Sequence, residues 1–303
     1  MAEAGLAMKA APGLMTAAEA VRALTGRFRE RGLPTAELDA RLLVLAATGM
    51  SAEDYVLAPQ RSIDALTMER IESFAVRRLA REPVSRILGY REFWGRRFAI
   101  DPSTLDPRPD TETLVEAVLG VIDAEGRRGQ PLRLLDLGTG TGCILISLLA
   151  ELPAAFGVGV DIAPEALTIA GRNADAHGLG GRAVFCCGDW TAPFSGAFDF
   201  ILSNPPYIKG ADIAGLEPDV RDYDPRRALD GGADGFDAYR RIANEALALT
   251  APGGHLALEG GAGQMRFICD LLVTAGWAHD SSICRVYTDL CGQDRVVVVR
   301  KQQ

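Results

Sequence analysis

Histidine is nearly absent. His177, His255 and His279 are the only three in 303 residues, and none has metal-ligand spacing. No metal site is therefore expected, and each histidine is read as a surface or loop residue. The six cysteines (Cys143, Cys186, Cys187, Cys269, Cys284 and Cys291) include no Cys-x-x-Cys and no Cys/His cluster. In a chain this long such scatter predicts reduced, mostly buried thiols in a cytosolic setting. No apolar run approaches a membrane span; the stretch 42–47 is typical and short. Residues 1–14 hold one Lys, one Glu and no apolar block, so 1–15 reads as a disordered tail and not a signal peptide. Positive charge is in deficit too. With 32 Lys and Arg against 40 Asp and Glu the net charge is −8, which argues against a generic nucleic-acid binder. The basic pair Arg77-Arg78 is read as a solvated face.

What is present suits one large domain and a small one: 48% hydrophobic and 24% charged residues. The first part reads as helices. Thr16-Ala17-Ala18-Glu19 has the capping-box pattern, a second helix spans 36–48 before Gly49, and a short third follows Ser51. A fourth carries Met68, Ile71, Ala75 and Leu79 on one face and must end before Pro83. These make a helical bundle over 16–86. The stretch "ILGYREFWGRRFAI" then alternates aromatic and polar residues, which predicts a β-hairpin linker over 87–100.

The rest, 101–303, alternates strands and helices, the signature of a mostly parallel sheet covered by helices. Strands are expected at 132–137, 156–161, 183–187, 198–203 and 255–259. Helices are expected from near Thr111 and at 143–151, 164–176, 236–249 and 264–275. Two last strands, 282–287 and 295–300, have no helix between them and read as an antiparallel pair at the sheet edge.

"LLDLGTGTGC", residues 134–143, leaves the first of these strands and opens a helix, with glycines at 138, 140 and 142 that let the backbone pass close under a ligand. Position 143 is Cys, so the dinucleotide fingerprint fails, and no Gly-Lys-Ser/Thr follows. Asp161 ends the next strand, where a carboxylate can accept two ribose hydroxyls, a feature common to NAD and S-adenosylmethionine sites. In "CCGDW", Asp189 is placed to accept from an adenine amine and Trp190 to cover the ring.

"SNPPY", residues 203–207, ends the fourth strand at the same crevice. Neither proline has an N–H to give a ladder, and Pro206 forces Pro205 into an extended conformation. The Pro205 carbonyl and the Asn204 side-chain oxygen are then two acceptors suited to a planar NH2 group, with Tyr207 to wall it. An amide nitrogen is a poor nucleophile because its lone pair is delocalised. Gripping both hydrogens aims that nitrogen and favours charge building on it.

"NPPY" with "DLGTGTG", and with "ILGYREFWG", "PRPDTETLVE", "EPDVRDYDPRRALDGGADGFDAYRRI" and "LCGQDRVVVVR", resembles the HemK/PrmC family of protein-glutamine methyltransferases. That resemblance runs from about residue 16 onward. It implies an α/β fold: a Rossmann-like seven-stranded class I methyltransferase sheet with a small N-terminal helical domain that helps dock the substrate. It implies S-adenosyl-L-methionine as cofactor, held by Asp136, Gly138, Thr139, Gly140, Thr141, Gly142, Asp161, Asp189, Trp190 and Asn204. It also implies class-1 peptide chain release factors as partners, whose Gly-Gly-Gln glutamine would sit on Asn204, Pro205, Pro206 and Tyr207, with Asn204, Pro205 and Tyr207 catalytic. A cytoplasmic monomer that touches neither nucleic acid nor membrane is expected. The sequence departs from the family pattern at Asp110, where Glu is common, and at Glu259-Gly260-Gly261, where Glu-Ile-Gly is common. The segment 217–233, acidic, then basic, then Gly-rich, is expected to be a mobile wall that orders over the substrate. Glutamine methylation of a ribosomal protein, a DNA or RNA amino-methyltransferase, and a methyltransferase-like binding protein remain as alternatives.

Overall fold

The computed structural model describes residues 15–280 and 283–302, and the chain divides into two units between Leu88 and Gly89. The tail expected over 1–15 lies outside the described residues, Met15 excepted.

The first unit is helical: α1 (Ala17–Glu30), α2 (Ala36–Thr48), α3 (Ala52–Leu57), α4 (Ala65–Leu79) and α5 (Val84–Leu88). The capping box forms at α1, where the Thr16 hydroxyl accepts from the Glu19 N–H and the Glu19 carboxylate takes the Thr16 N–H at 2.8 Å. Gly49, at φ 68°, ends α2. Leu24, Phe28, Leu43, Val44, Ile71 and Ala75 fill the core, with Met68 and Leu79 at its margin. The solvated face expected for Arg77-Arg78 is wrong for Arg78. Its side chain is buried, with Nε 2.7 Å from Asp39, because α4 packs on α2 and carries the guanidinium inward with its counter-ion.

The expected hairpin begins later than 87, since Val84–Leu88 is helical. Its strands β1 (Tyr90–Phe93) and β2 (Arg96–Ala99) belong to the second unit. They turn at Trp94 and Gly95, both at positive φ, as a two-residue hairpin loop with right-handed strand twist requires.

The second unit is a seven-stranded mixed sheet. Strands β3 (Arg133–Leu137), β4 (Phe156–Asp161), β5 (Ala183–Cys187), β6 (Phe198–Ser203) and β7 (Thr250–Glu259) run parallel. β8 (Arg285–Thr288) and β9 (Asp294–Arg300) complete the order β5-β4-β3-β6-β7-β9-β8, with β9 antiparallel to both its neighbours. Residues alternate between two cores, as the pleat demands. Leu134, Phe200 and Leu202 join α6 (Glu112–Ala124) and α7 (Cys143–Glu151) on one face. Leu135, Ile201 and Leu256 join α10 (Asp237–Leu249) and α11 (Met265–Thr274) on the other. Between them in sequence lie α8 (Pro164–Ala176) and the short α9 (Pro218–Arg221).

Strand β7 starts at Thr250 and not at 255, because Thr250 pairs with Phe198 across a register shift that Pro252, Gly253 and Gly254 accommodate. His255 is therefore no surface or loop residue. It is buried in β7 and stacked on Phe200 at 4.9 Å, and burial pushes its pKa down to about 4 against the opposing pull of Glu125. The thiols are less buried than expected: Cys143, Cys269 and Cys284 are buried, while Cys187 and Cys291 are exposed. No helix among the described residues is long and apolar enough to cross a membrane. Strand order reverses between β3 and β6, which opens a crevice at their carboxyl ends.

Candidate active site

The loop after β3 is stitched to β4: the Gly138 and Thr139 N–H groups both donate to the Val160 carbonyl at 2.9 Å. Gly138 and Gly140 line a cavity of about 290 Å3. The other loop residues support it from behind. Thr139 and Thr141 are buried, and the Thr139 hydroxyl donates to Asp136 Oδ2 at 2.7 Å. Gly142 packs helix α7 down, since a Cβ there would lie 2.9 Å from Ile146 Cδ1. Asp136 is fully buried with Oδ1 unpartnered among the described residues. Burial pushes its pKa up to about 7, partly offset by the Thr139 hydroxyl, with the Asp161 charge adding to the rise.

Asp161 reaches the same cavity from the tip of β4. Its Oδ2 accepts from the Gly140 N–H and its Oδ1 from the Ala163 N–H, each at 2.9 Å, which aims the carboxylate and leaves lone pairs for a ligand. Asp189 and Trp190 form the opposite wall. Arg241 Nη1 holds Asp189 Oδ2 at 2.7 Å. Trp190 sits at φ 52°, a strained conformation for a bulky residue, with its ring about 3.5 Å from where a Gly138 Cβ would be. An acidic tip and a flat aromatic wall fit a nucleoside, as S-adenosylmethionine carries, whereas Asp136, expected to touch the cofactor, is buried behind the loop and does not line the cavity. Ser103, Thr104, Leu105, Pro225, Arg227 and Ala228 also line this cavity and had no local sequence signal as ligands.

Strand β6 ends with Ser203, whose hydroxyl donates to the Leu137 carbonyl at 2.7 Å. Asn204 follows and lies on the wall of two cavities: the one above, and a second of about 310 Å3. Its Nδ2 donates to Thr111 Oγ1 at 3.1 Å, so its Oδ1 is left to accept. Pro206 faces the first cavity; Tyr207 faces the second, with Arg108, Asp110, Ile208 and Leu216. Pro205 is buried and lines neither, and no hydrogen bond reaches its carbonyl among the described residues. Burial raises the Tyr207 hydroxyl pKa, and Glu259 adds to the rise.

Several groups hold this turn that the sequence did not single out. Gln264 Nε2 donates to the Tyr207 carbonyl at 3.0 Å while its Oε1 accepts from the Gly261 N–H at 2.8 Å. The segment 217–233, expected to be a mobile wall, is tied to the site at several points. Buried Asp224 pairs with Arg108 and accepts from the Asp106 N–H. The Ile208 N–H donates to Leu229, and the Gly231 N–H to Ile208. Gly231 is needed because a Cβ would stand 2.8 Å from the Pro206 carbonyl oxygen. Glu259, at the end of β7, is buried with Oε2 unpartnered among the described residues. Burial pushes its pKa up to about 7, while the Thr111 hydroxyl and Arg295 pull it down. Arg295 itself reaches Asp289 at 3.0 Å and Asp110 at 3.2 Å, which suits the shorter Asp at 110.

Residues 19–89 match the PrmC N-terminal domain and residues 130–275 a methyltransferase domain. The release factor glutamine methyltransferase of Rhodospirillum rubrum is 49% identical over 278 residues, covering 91% of this chain and 82% of that protein. Its namesake in Bradyrhizobium diazoefficiens is 45% identical over 280 residues, covering 92% and 93%. Among solved structures, the hMettl16 catalytic domain in complex with MAT2A 3′UTR hairpin 6 aligns with a TM-score of 0.53 over 79% of this chain and 82% of that one. At 15% identity it bears on the fold alone.

Proposed function

The chain belongs to the family of release factor glutamine methyltransferases, and from that premise we propose that Asn204 and the Pro205 carbonyl grip both hydrogens of a glutamine side-chain amide. The reaction is S-adenosylmethionine-dependent methylation of that amide nitrogen, and the glutamine is the one in the Gly-Gly-Gln loop of class-1 release factors. S-adenosylmethionine supplies an electrophilic methyl group. Asp161 would accept the ribose hydroxyls and Asp189 the adenine amine, and Trp190 with Gly138 and Gly140 would make the slot that holds it.

On the substrate side, Tyr207 and the walls of the second cavity keep the amide plane in place. Asn204 Oδ1, on the wall shared by the two cavities, accepts one N–H, and the Pro205 carbonyl, which makes no other hydrogen bond among the described residues but lines neither cavity without substrate, would have to accept the other as the amide enters. As positive charge builds on nitrogen those two acceptors stabilise it, and the proton then passes to water. No side-chain base is required, because a nitrogen-protonated amide is strongly acidic.

The observation that carries this is the place of Asn204 on the wall common to both cavities, with its nitrogen already committed to Thr111. Asn204→Ala is expected to lower kcat by on the order of a hundredfold or more, the scale for losing one preorganised polar contact in a transition state. Cofactor affinity by calorimetry should change little. Turnover within a few-fold of the parent would overturn the two-acceptor grip.

The first unit we take as the docking element: Val56, Leu57 and Leu66 are strongly exposed apolar side chains there. Free thiols at Cys143, Cys269 and Cys284 support a cytosolic setting. We take the enzyme to act as a monomer, which sedimentation at working concentration tests.

A further inference from the structure

An asparagine amide has two faces, and only one suits the proposed grip. With Oδ1 toward the substrate it accepts an N–H; flipped, it presents its own NH2 to another NH2, donor against donor. Something must choose between them. Asn204 Nδ2 donates to Thr111 Oγ1, and Thr111 is itself buried. A hydroxyl alone cannot make the choice, since it accepts from Nδ2 or donates to Oδ1 equally well. The choice falls to whatever takes the Thr111 proton.

That group is at hand. Strands β6 and β7 are parallel neighbours with Ser203 opposite Leu258, so the next residues, Asn204 and Glu259, stand side by side at the strand tips. The Thr111 hydroxyl and the Asn204 amide both bear on the Glu259 carboxyl, which is 1% exposed. An ionised carboxylate only accepts. Beside Thr111 and Asn204 it can only draw donors to its side, the Thr111 O–H and the Asn204 NH2 alike, and so leaves Oδ1 facing the substrate. A protonated Glu259 can donate to Thr111 and releases the amide to flip.

We infer that Glu259 is a positioning residue for the methyl transfer: directly and with Thr111, its ionised form locks the Asn204 amide in the orientation that accepts the substrate N–H. The inference rests on Asn204 as the amide-gripping residue. It makes turnover rise with pH as Glu259 loses its proton near 7, the value to which burial lifts it. The other groups facing it are Arg295 from β9, Asp110 from the turn before α6, Tyr207, Tyr239 from α10 and Cys143 from α7. Both tyrosines are raised and the buried thiol is pushed up to about 12, so they stay neutral in this range. Arg295, raised by Asp289 and Asp110 against the pull of its own burial, stays charged. Asp136 also titrates near 7, but it belongs to the cofactor loop and would show in cofactor affinity.

The test measures kcat from pH 5.5 to 8.5 at saturating cofactor and protein substrate, with cofactor affinity by calorimetry. The parent should lose turnover about tenfold per pH unit well below 7. Glu259→Gln keeps the shape but donates as well as accepts. It should lower kcat at pH 8 by on the order of tenfold to a hundredfold, abolish the acid limb, and leave cofactor affinity within about twofold. Thr111→Val should behave likewise and Thr111→Ser should restore most of the loss. Wild-type kcat and an intact acid limb in Glu259→Gln, or a matching fall in cofactor affinity, overturns the inference. If Glu259→Gln does not fold, the threonine pair and the parent's acid limb decide. Asn204→Ala in parallel separates the two levels: its collapse beside an unaffected Glu259→Gln rejects the lock alone, whereas both unaffected rejects the grip.

Discussion

Glu259→Gln should slow the enzyme and, as pH rises, gain stability relative to the parent. The carboxyl is 1% exposed with one oxygen unpartnered among the described residues, and its pKa is pushed up from 4.5 to about 7. The folded state therefore holds this proton more tightly than the unfolded chain does. By linkage its contribution to stability is fully present below pH 4.5 and is lost as pH rises through 7. The difference between 4.5 and about 7 is worth about 3 kcal/mol, at roughly 1.4 kcal/mol per tenfold change in proton affinity. Glutamine has nothing to ionise. Its own packing cost applies at every pH, so the informative quantity is how the difference between the two proteins changes. Urea unfolding at pH 4.5 and pH 8 with unchanged slopes should show the variant gaining up to about 3 kcal/mol on the parent between those values. Asp136, also raised to about 7, titrates in both proteins and cancels. Parallel stability curves would mean that Glu259 is not held as a desolvated charge, and the reasoning would fail. Stability lost to ionisation would be the cost of a preorganised site.

Asp161→Ala should weaken cofactor binding by about tenfold or more, since a charged hydrogen bond is worth about 1.5–3 kcal/mol; an unchanged calorimetric affinity would rule out the ribose role. Gly235→Ala places a Cβ 2.6 Å from the Tyr207 carbonyl oxygen at a φ of +85°, so stability should fall by about 1 kcal/mol or more and kcat should fall as the turn shifts. A fully active, equally stable variant would show that this segment does not hold the turn. Leu57→Ser, at a side chain 84% exposed, should leave thermal stability unchanged and raise the Michaelis constant for the protein substrate but not for a short glutamine peptide. Equal effects on both substrates would count against docking there.

The amino-acid order alone determined most of the elements and the loop chemistry, because those are written at short range, but not α5, α9 or the start of β7. Capping at Thr16, the stop at Gly49, the strand–helix alternation and the glycine loop each depend on residues a few positions apart. Asn-Pro-Pro-Tyr was equally legible, since two prolines restrict their own backbone wherever they stand. What assembles around that turn was not. Thr111 lies 93 residues before Asn204 and Gln264 lies 57 after Tyr207, and only the β6–β7 pairing and the placement of the turn before α6 bring them together. The burial of His255 and Arg78 was hidden for the same reason: a polar side chain goes inside when a partner from another element meets it there. Periodicity along the chain carries which face is apolar, whereas sheet order decides which distant carboxyl, hydroxyl or amide that face encounters.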